Sequence, residues 1–159
     1  MIPNVVKHVT IPVIAAGGIA SGKQMLAAMI LGADAVQIGS RFAASNESSA
    51  HANFKQAIIN SNEGDTQLTL KELTPVRLIK NDFYTKIENA YSQNSSKEEL
   101  IKLLGKGRAK KGMFEGDLSE GELEIGQVSS IIKEIKPASE IVKEIWEEFL
   151  AEKKNLSEK

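Results

Sequence analysis

Two apolar runs, each ended by a glycine turn and joined by one stretch of strong helix formers, constrain this chain more than any other feature. The segment from Ile11 to Phe42 reads IPVIAAGGIASGKQMLAAMILGADAVQIGSRF. Val13 to Ala16 is continuously apolar up to Gly17-Gly18, the pattern of a parallel strand covered on both faces rather than of a half-wet one. Ser21 with Gln24 three residues on forms a capping box, Met25 to Leu31 supplies the helix, and Gly32 closes it in the left-handed conformation. Ala35 to Ile38 then makes a second strand, which ends in Gly39-Ser40-Arg41-Phe42. The expected unit is βαβ.

A right-handed crossover puts both glycine turns on the carboxyl edge of the two strands, the edge where α/β proteins bind ligands. Gly17 and Gly18 let backbone N–H groups approach an anion closely, and the helix opened by Ser21 adds its positive dipole end. Gly39 and Ser40 add further N–H groups and a hydroxyl. The pattern matches a phosphate seat of the kind built by the last two loops of a (β/α)8 barrel. The alternative, that Gly17-Gly18 only makes a tight turn and Gly39 only ends a strand, is weaker for two such turns in one βαβ unit than for a single glycine pair.

At these residues the chain resembles a known family. PVIAAGGIASG followed by LGADAVQIGSRF is similar to the flavin-binding end of the nitronate monooxygenase family, which also contains the flavin-dependent enoyl-acyl carrier protein reductase of type II. Glu47-Ser48-Ser49-Ala50-His51, Pro75 to Asn81, Gly116-Asp117 and Gly126-Gln127 recur in the same order in the reductase-like branch. The resemblance implies a TIM barrel carrying FMN, with NAD(P)H as a candidate electron donor. It places the FMN phosphate at Gly18 and at Gln37, Ile38, Gly39 and Ser40, with Gly17 as a weaker candidate. It implies no catalytic residue here, because the family's catalytic histidine belongs to an earlier part of the barrel and neither His8 nor His51 matches its motif.

Length sets the expected extent. A complete barrel takes about 250 residues, against 159 here. The resemblance places the strand after Ile11 seventh of eight. The expected fold class is therefore α/β: residues 1–64 as the C-terminal part of a TIM barrel, its last βαβ unit and a following helix, and residues 65–159 as an appended, mostly helical region. A missing N-terminal half, or self-association, would supply what a two-strand piece leaves bare.

Composition narrows the function classes. Twenty Lys and Arg against 21 Asp and Glu give a net charge of −1, which carries no global nucleic-acid or anionic-membrane footprint. The absence of cysteine excludes disulfides and thiolate chemistry, and two distant histidines make no metal site. The start shows no signal peptide or membrane span, so the expected compartment is the cytoplasm.

Along the rest of the chain, Asn4 to Val9 reads as a short helix with a solvated His8. Ala50 to Asn62 reads as a helix with His51 bonding backbone at its start. Gln67 to Leu70 and Pro75 to Ile79 read as extended, and Asp82 to Tyr91 and Lys97 to Leu104 as helices, the second capped by Ser95 or Ser96. Lys102, Lys106, Arg108, Lys110 and Lys111 form a basic cluster that is either a solvated loop or a docking patch for an acidic carrier protein. Gln127 to Ile135 reads as a helix broken by Pro137. Ser139 would cap a final helix striped by Ile141, Val142, Ile145, Trp146 and Phe149, with Lys153 to Lys159 fraying.

Three functions stay open: part of an FMN-dependent oxidoreductase acting on a small molecule or an acyl thioester, a non-catalytic phosphate-binding or assembly piece, and a piece without activity of its own.

Overall fold

A computed structural model describes residues 1–158. A short helix, α1 (Ile2–Val6), precedes strand β1 (Ile14–Ala16), helix α2 (Gly22–Ile30) and strand β2 (Ala35–Gln37). β1 and β2 pair in parallel, with Ile14 opposite Ala35 and Ala16 opposite Gln37. The expected βαβ unit is present. Ser21 accepts from the Gln24 N–H at 3.2 Å, while the Gln24 side chain accepts from the Ala20 N–H at 2.8 Å, one residue before the cap. Gly32 has φ +104° just past the helix. Asp34 and Val13 then exchange two hydrogen bonds of 2.8 Å, which sets the register of the returning strand.

Burial departs from the expectation for β1. Ala15 packs with Ile19, Ala28 and Ala33, but Ile14 on the other face is 60% exposed. The apolar run reflects a surface that no described part of this chain covers.

After β2 the chain turns through α3 (Ser40–Ala43) into α4 (Ala52–Asn60), then forms a hairpin of β3 (Thr66–Thr69) and β4 (Val76–Ile79). Residues 123–125 lie along β4: Ile79 N–H donates to Leu123 O and Ile125 N–H to Arg77 O. The largest buried cluster joins Ala44, Phe54 and Ile58 to Leu123, Ile125, Val128 and Ile132, so the core runs across position 64. A second cluster gathers Leu70 and Leu78 of the hairpin with Phe83 and Ile87 of α5 (Asp82–Ser92). Helix α6 (Lys97–Leu104) opens with a full capping box between Ser96 and Glu99.

Several local expectations are corrected. Only Gln127–Ile131 is helical, as a 3-10 turn, because residue 132 is already extended and Asn46 N–H bonds Lys136 O, which pulls the chain out against residue 45. The last helix, α7 (Ala138–Ser157), is led by Pro137 rather than capped by Ser139; the Ala138 N–H goes to Glu47 at 2.8 Å, and the helix runs through Lys153 instead of fraying there. The basic cluster is not one patch. Arg108 turns inward, donating to Leu103 O, Leu104 O and Glu120 O and lying 4.2 Å over the Phe83 ring, while Lys110 and Lys111 pair with Glu115 and Asp117. The α1 helix also begins two residues earlier than its apolar spacing suggests, with Pro3 in its first turn.

Candidate functional site

The carboxyl ends of β1 and β2 open onto one cleft of about 220 Å³, lined by Ala16, Gly17, Gly18, Ile19, Gln37, Gly39, Ser40, Gly126 and Val128. Five of the six expected site residues meet there. Gly17 and Gly18 take φ of +90° and +72°, a region L side chains rarely adopt, and a Cβ built at either, or at Gly39, would project into open space. At these three positions the cleft wall is peptide backbone. None of its lining residues is charged. Ile38 is the exception: its place is in a separate apolar cavity of about 280 Å³ with Met25, Val36, Phe42, Val142, Ile145 and Trp146.

Ser40 has a partner at the far side of the cleft. Its Oγ accepts from the Gly126 N–H at 3.3 Å, and a Cβ at Gly126 would come within 2.9 Å of that oxygen. Gly126 and Val128 therefore belong to the site, although Ser40 and Gly126 are 86 residues apart. The signal for them in the sequence was only the Gly126-Gln127 pair, with no local periodicity to place it against the βαβ unit.

The amino end of α2 is not a free anion seat, which corrects the expectation drawn from its dipole. Glu148 of α7 reaches it, and its Oε2 accepts from the Gly22 N–H at 2.6 Å. A carboxylate there already answers the positive end of the helix. Contact is close because residue 22 has no side chain: a Cβ would sit against Phe149 N and 2.5 Å from Ile145 O. Attraction for an anion in the cleft must then come from the turns themselves.

The histidines take structural places. His8 is exposed, its Nδ1 2.7 Å from Asn4 O. His51 leads α4 and accepts from the Asn53 N–H at 3.1 Å, the backbone role its position suggests. Arg41 is buried and donates to Glu134 O at 3.0 Å; burial pulls its pKa down while Glu144 and Glu134 oppose the shift. Glu122 is also buried, and desolvation, reinforced by Glu124 and opposed by Arg108, pushes its carboxyl up to about 7. Among the described residues no group of three or more His, Cys, Asp or Glu is arranged to hold a metal, and no helix is long and apolar enough to cross a membrane.

Comparison with known proteins agrees with the fold. The sequence model of the nitronate monooxygenase family matches residues 1–148. A probable nitronate monooxygenase of Staphylococcus saprophyticus is 40% identical over 118 residues, 70% of this chain and 33% of that protein. One from Staphylococcus haemolyticus is 49% identical over 69 residues, 43% of this chain and 19% of its own length. Among solved structures, FabK from Thermotoga maritima superposes with a TM-score of 0.90 at 38% identity, covering 98% of this chain and 50% of FabK. A nitroalkane oxidase from Streptomyces ansochromogenes gives 0.75 at 30% identity, covering 98% of this chain and 44% of the oxidase. The chain spans a third or less of these curated relatives and about half of the solved ones, and its fold is a partial α/β barrel.

Proposed function

The chain belongs to the nitronate monooxygenase family, and from that premise we propose that it supplies the phosphate end of an FMN site to a flavin-dependent oxidoreductase. In this reading β1-α2-β2 is the last βαβ unit of a TIM barrel. One observation carries it: Gly17, Gly18, Gln37, Gly39 and Ser40 converge with Gly126 on one uncharged cleft at the carboxyl end of two parallel strands. The residues fit a phosphate monoester. Open space over Gly17, Gly18 and Gly39 lets its oxygens reach main-chain dipoles, and no carboxylate lines the cleft to repel it.

Bound FMN supplies the redox chemistry. This chain's part is to hold the far end of the cofactor and so fix where the ring lies. The substrate is a nitronate or an enoyl thioester, with NAD(P)H as donor in the reductase-like case, and the groups that handle protons lie outside these residues. A second reading, an assembly piece that needs another polypeptide, is favoured by Ile11 and Ile14, 71% and 60% exposed, together with the open flank of Val142 and Trp146 on α7.

Titration of FMN, followed by quenching of its fluorescence, tests the proposal. Gly18→Asp places a carboxylate and a strained backbone where the phosphate binds, and at least a tenfold loss of affinity is expected. Equal affinity of the two chains would remove the cleft from consideration.

A further inference from the structure

The helix that follows β2 in sequence is not the helix that covers it. Val36 and Ile38 point to one face of β2, where they share the apolar cavity of about 280 Å³ with Met25 of α2 and with Val142, Ile145 and Trp146 of α7. Helix α7 therefore lies on the same face of the strand pair as α2. The two helices also touch directly: the Gly22 N–H donates to Glu148, and Lys23 pairs with Glu152 at 3.2 Å. Helix α4 packs elsewhere, since Phe54 and Ile58 belong to the cluster of Leu123, Ile125 and Val128.

We propose that α7 is the outer helix of β2 in a barrel, and that its bare flank, with the free edge of β2, docks the next βα unit: a strand parallel to β2 and an amphipathic helix beside α7. The inference rests on reading β1-α2-β2 as the last βαβ unit of that barrel.

Helical spacing gives α7 two apolar flanks. Ile141, Ile145 and Phe149 are buried, whereas Val142, Trp146 and Leu150, one residue on and so about 100° further round, are 57%, 49% and 46% exposed. The cavity opens beside this second stripe, because Val142 and Trp146 line it. A helix with apolar stripes on two flanks suits a place between two neighbours in a layer, and only α2 is present. The strand calls for the same partner. Among the described residues β2 pairs with β1 alone, so its second edge is free, and the paired Ile14 and Ala35 face away from the helices, with Ile14 60% exposed. A closed barrel meets that edge with a parallel strand and covers the stripe with the helix joined to it. The solved relatives, of which this chain spans about half, have the length to supply both. A second copy brings only another β1-β2 pair and leaves edges open, so it is the competing occupant.

Co-expression of the chain with the tagged N-terminal half of a nitronate monooxygenase-family barrel, the tryptophans of that half replaced by phenylalanine, tests the surface. A one-to-one complex by native mass spectrometry is expected, with Trp146, the only tryptophan left, shifted to the blue and shielded from acrylamide. Leu150→Glu should weaken the complex about tenfold or more, while Ile101→Glu, on an apolar residue of α6 that is 52% exposed, should leave it within about twofold. Val142→Glu serves if Leu150→Glu fails to fold by circular dichroism. No co-purification, a complex that leaves Trp146 as exposed as before, equal effects of Leu150→Glu and Ile101→Glu, or a symmetric dimer of this chain that the half does not displace overturns the proposal. A complex that forms as expected but binds no FMN overturns only the reading of the glycine cleft.

Discussion

Replacing Gly22 with alanine sets two effects of opposite sign against each other. Intrinsic propensity favours alanine over glycine within a helix by up to about 1 kcal/mol. Packing opposes it, since the new Cβ would lie 2.5 Å from Ile145 O, 2.8 Å from the Glu148 carbonyl carbon and against Phe149 N, all main-chain atoms of a helix that cannot rotate away. Helix α7 must back off as a body. Overpacking of this kind costs about 1–3 kcal/mol, and the withdrawal lengthens the 2.6 Å bond from Gly22 to Glu148, a charge-assisted contact of about 1.5–3 kcal/mol. Counting part of that bond, the net loss should be about 2–3 kcal/mol, a fall in Tm of about 5–10 °C. Urea unfolding read from the only tryptophan, Trp146, measures it directly, because that ring sits on α7 stacked 5.2 Å from Phe149. A Gly22→Ala chain as stable as the wild type, or more so, would refute the claim that α2 and α7 meet main chain to main chain at Gly22.

Glu122 gives a pH prediction. Its pKa is raised in the folded state, from 4.5 to about 7, so its contribution is fully present below pH 4.5 and is lost as pH rises through 7; Glu122→Gln should flatten the stability profile over that window and stabilise the chain at pH 8 by up to about 3 kcal/mol, read by urea unfolding at several pH values. An unchanged slope would mean that the carboxyl is solvated. Bare apolar residues at Ile11, Ile14, Val142 and Trp146 should make the chain associate, and light scattering that reports a monomer at every dilution would contradict this. Supplied with FMN and NAD(P)H, the chain alone should show no nitronate-dependent oxygen uptake and no enoyl-dependent oxidation of the nicotinamide; robust turnover would place catalytic groups among its own residues.

Much of the βαβ unit was legible because its determinants are local: a cap at Ser21, a left-handed glycine at Gly32 and two apolar runs of strand length. The same holds for the helices from Asp82 and Lys97, which carry their own caps at Asn81 and Ser96. Long-range partners were hidden. The apolar spacing of Val128, Ile131, Ile132 and Ile135 suggested a helix face, but Asn46 draws the chain straight after Ile132, and nothing near residue 132 announces that contact. Gly126 escaped the site for the same reason, since only the folded chain brings it to Ser40. Arg108 misled by composition: among lysines and glycines it reads as solvent-facing, yet it covers Phe83 and bonds the last carbonyls of α6.

The bond between Gly22 and Glu148 spans 126 positions of chain, which gives the cleft a history during synthesis. Its glycine turns are translated before Glu148, the residue that answers the amino end of α2 and that follows Gly22 by about 6–25 s at about 5–20 residues per second. During that interval the amino end of α2 carries an unanswered positive end, and a nascent chain could hold an anion there that the finished protein excludes. Ribosome-bound chains arrested before and after residue 148 should therefore differ in anion affinity, the shorter binding more tightly.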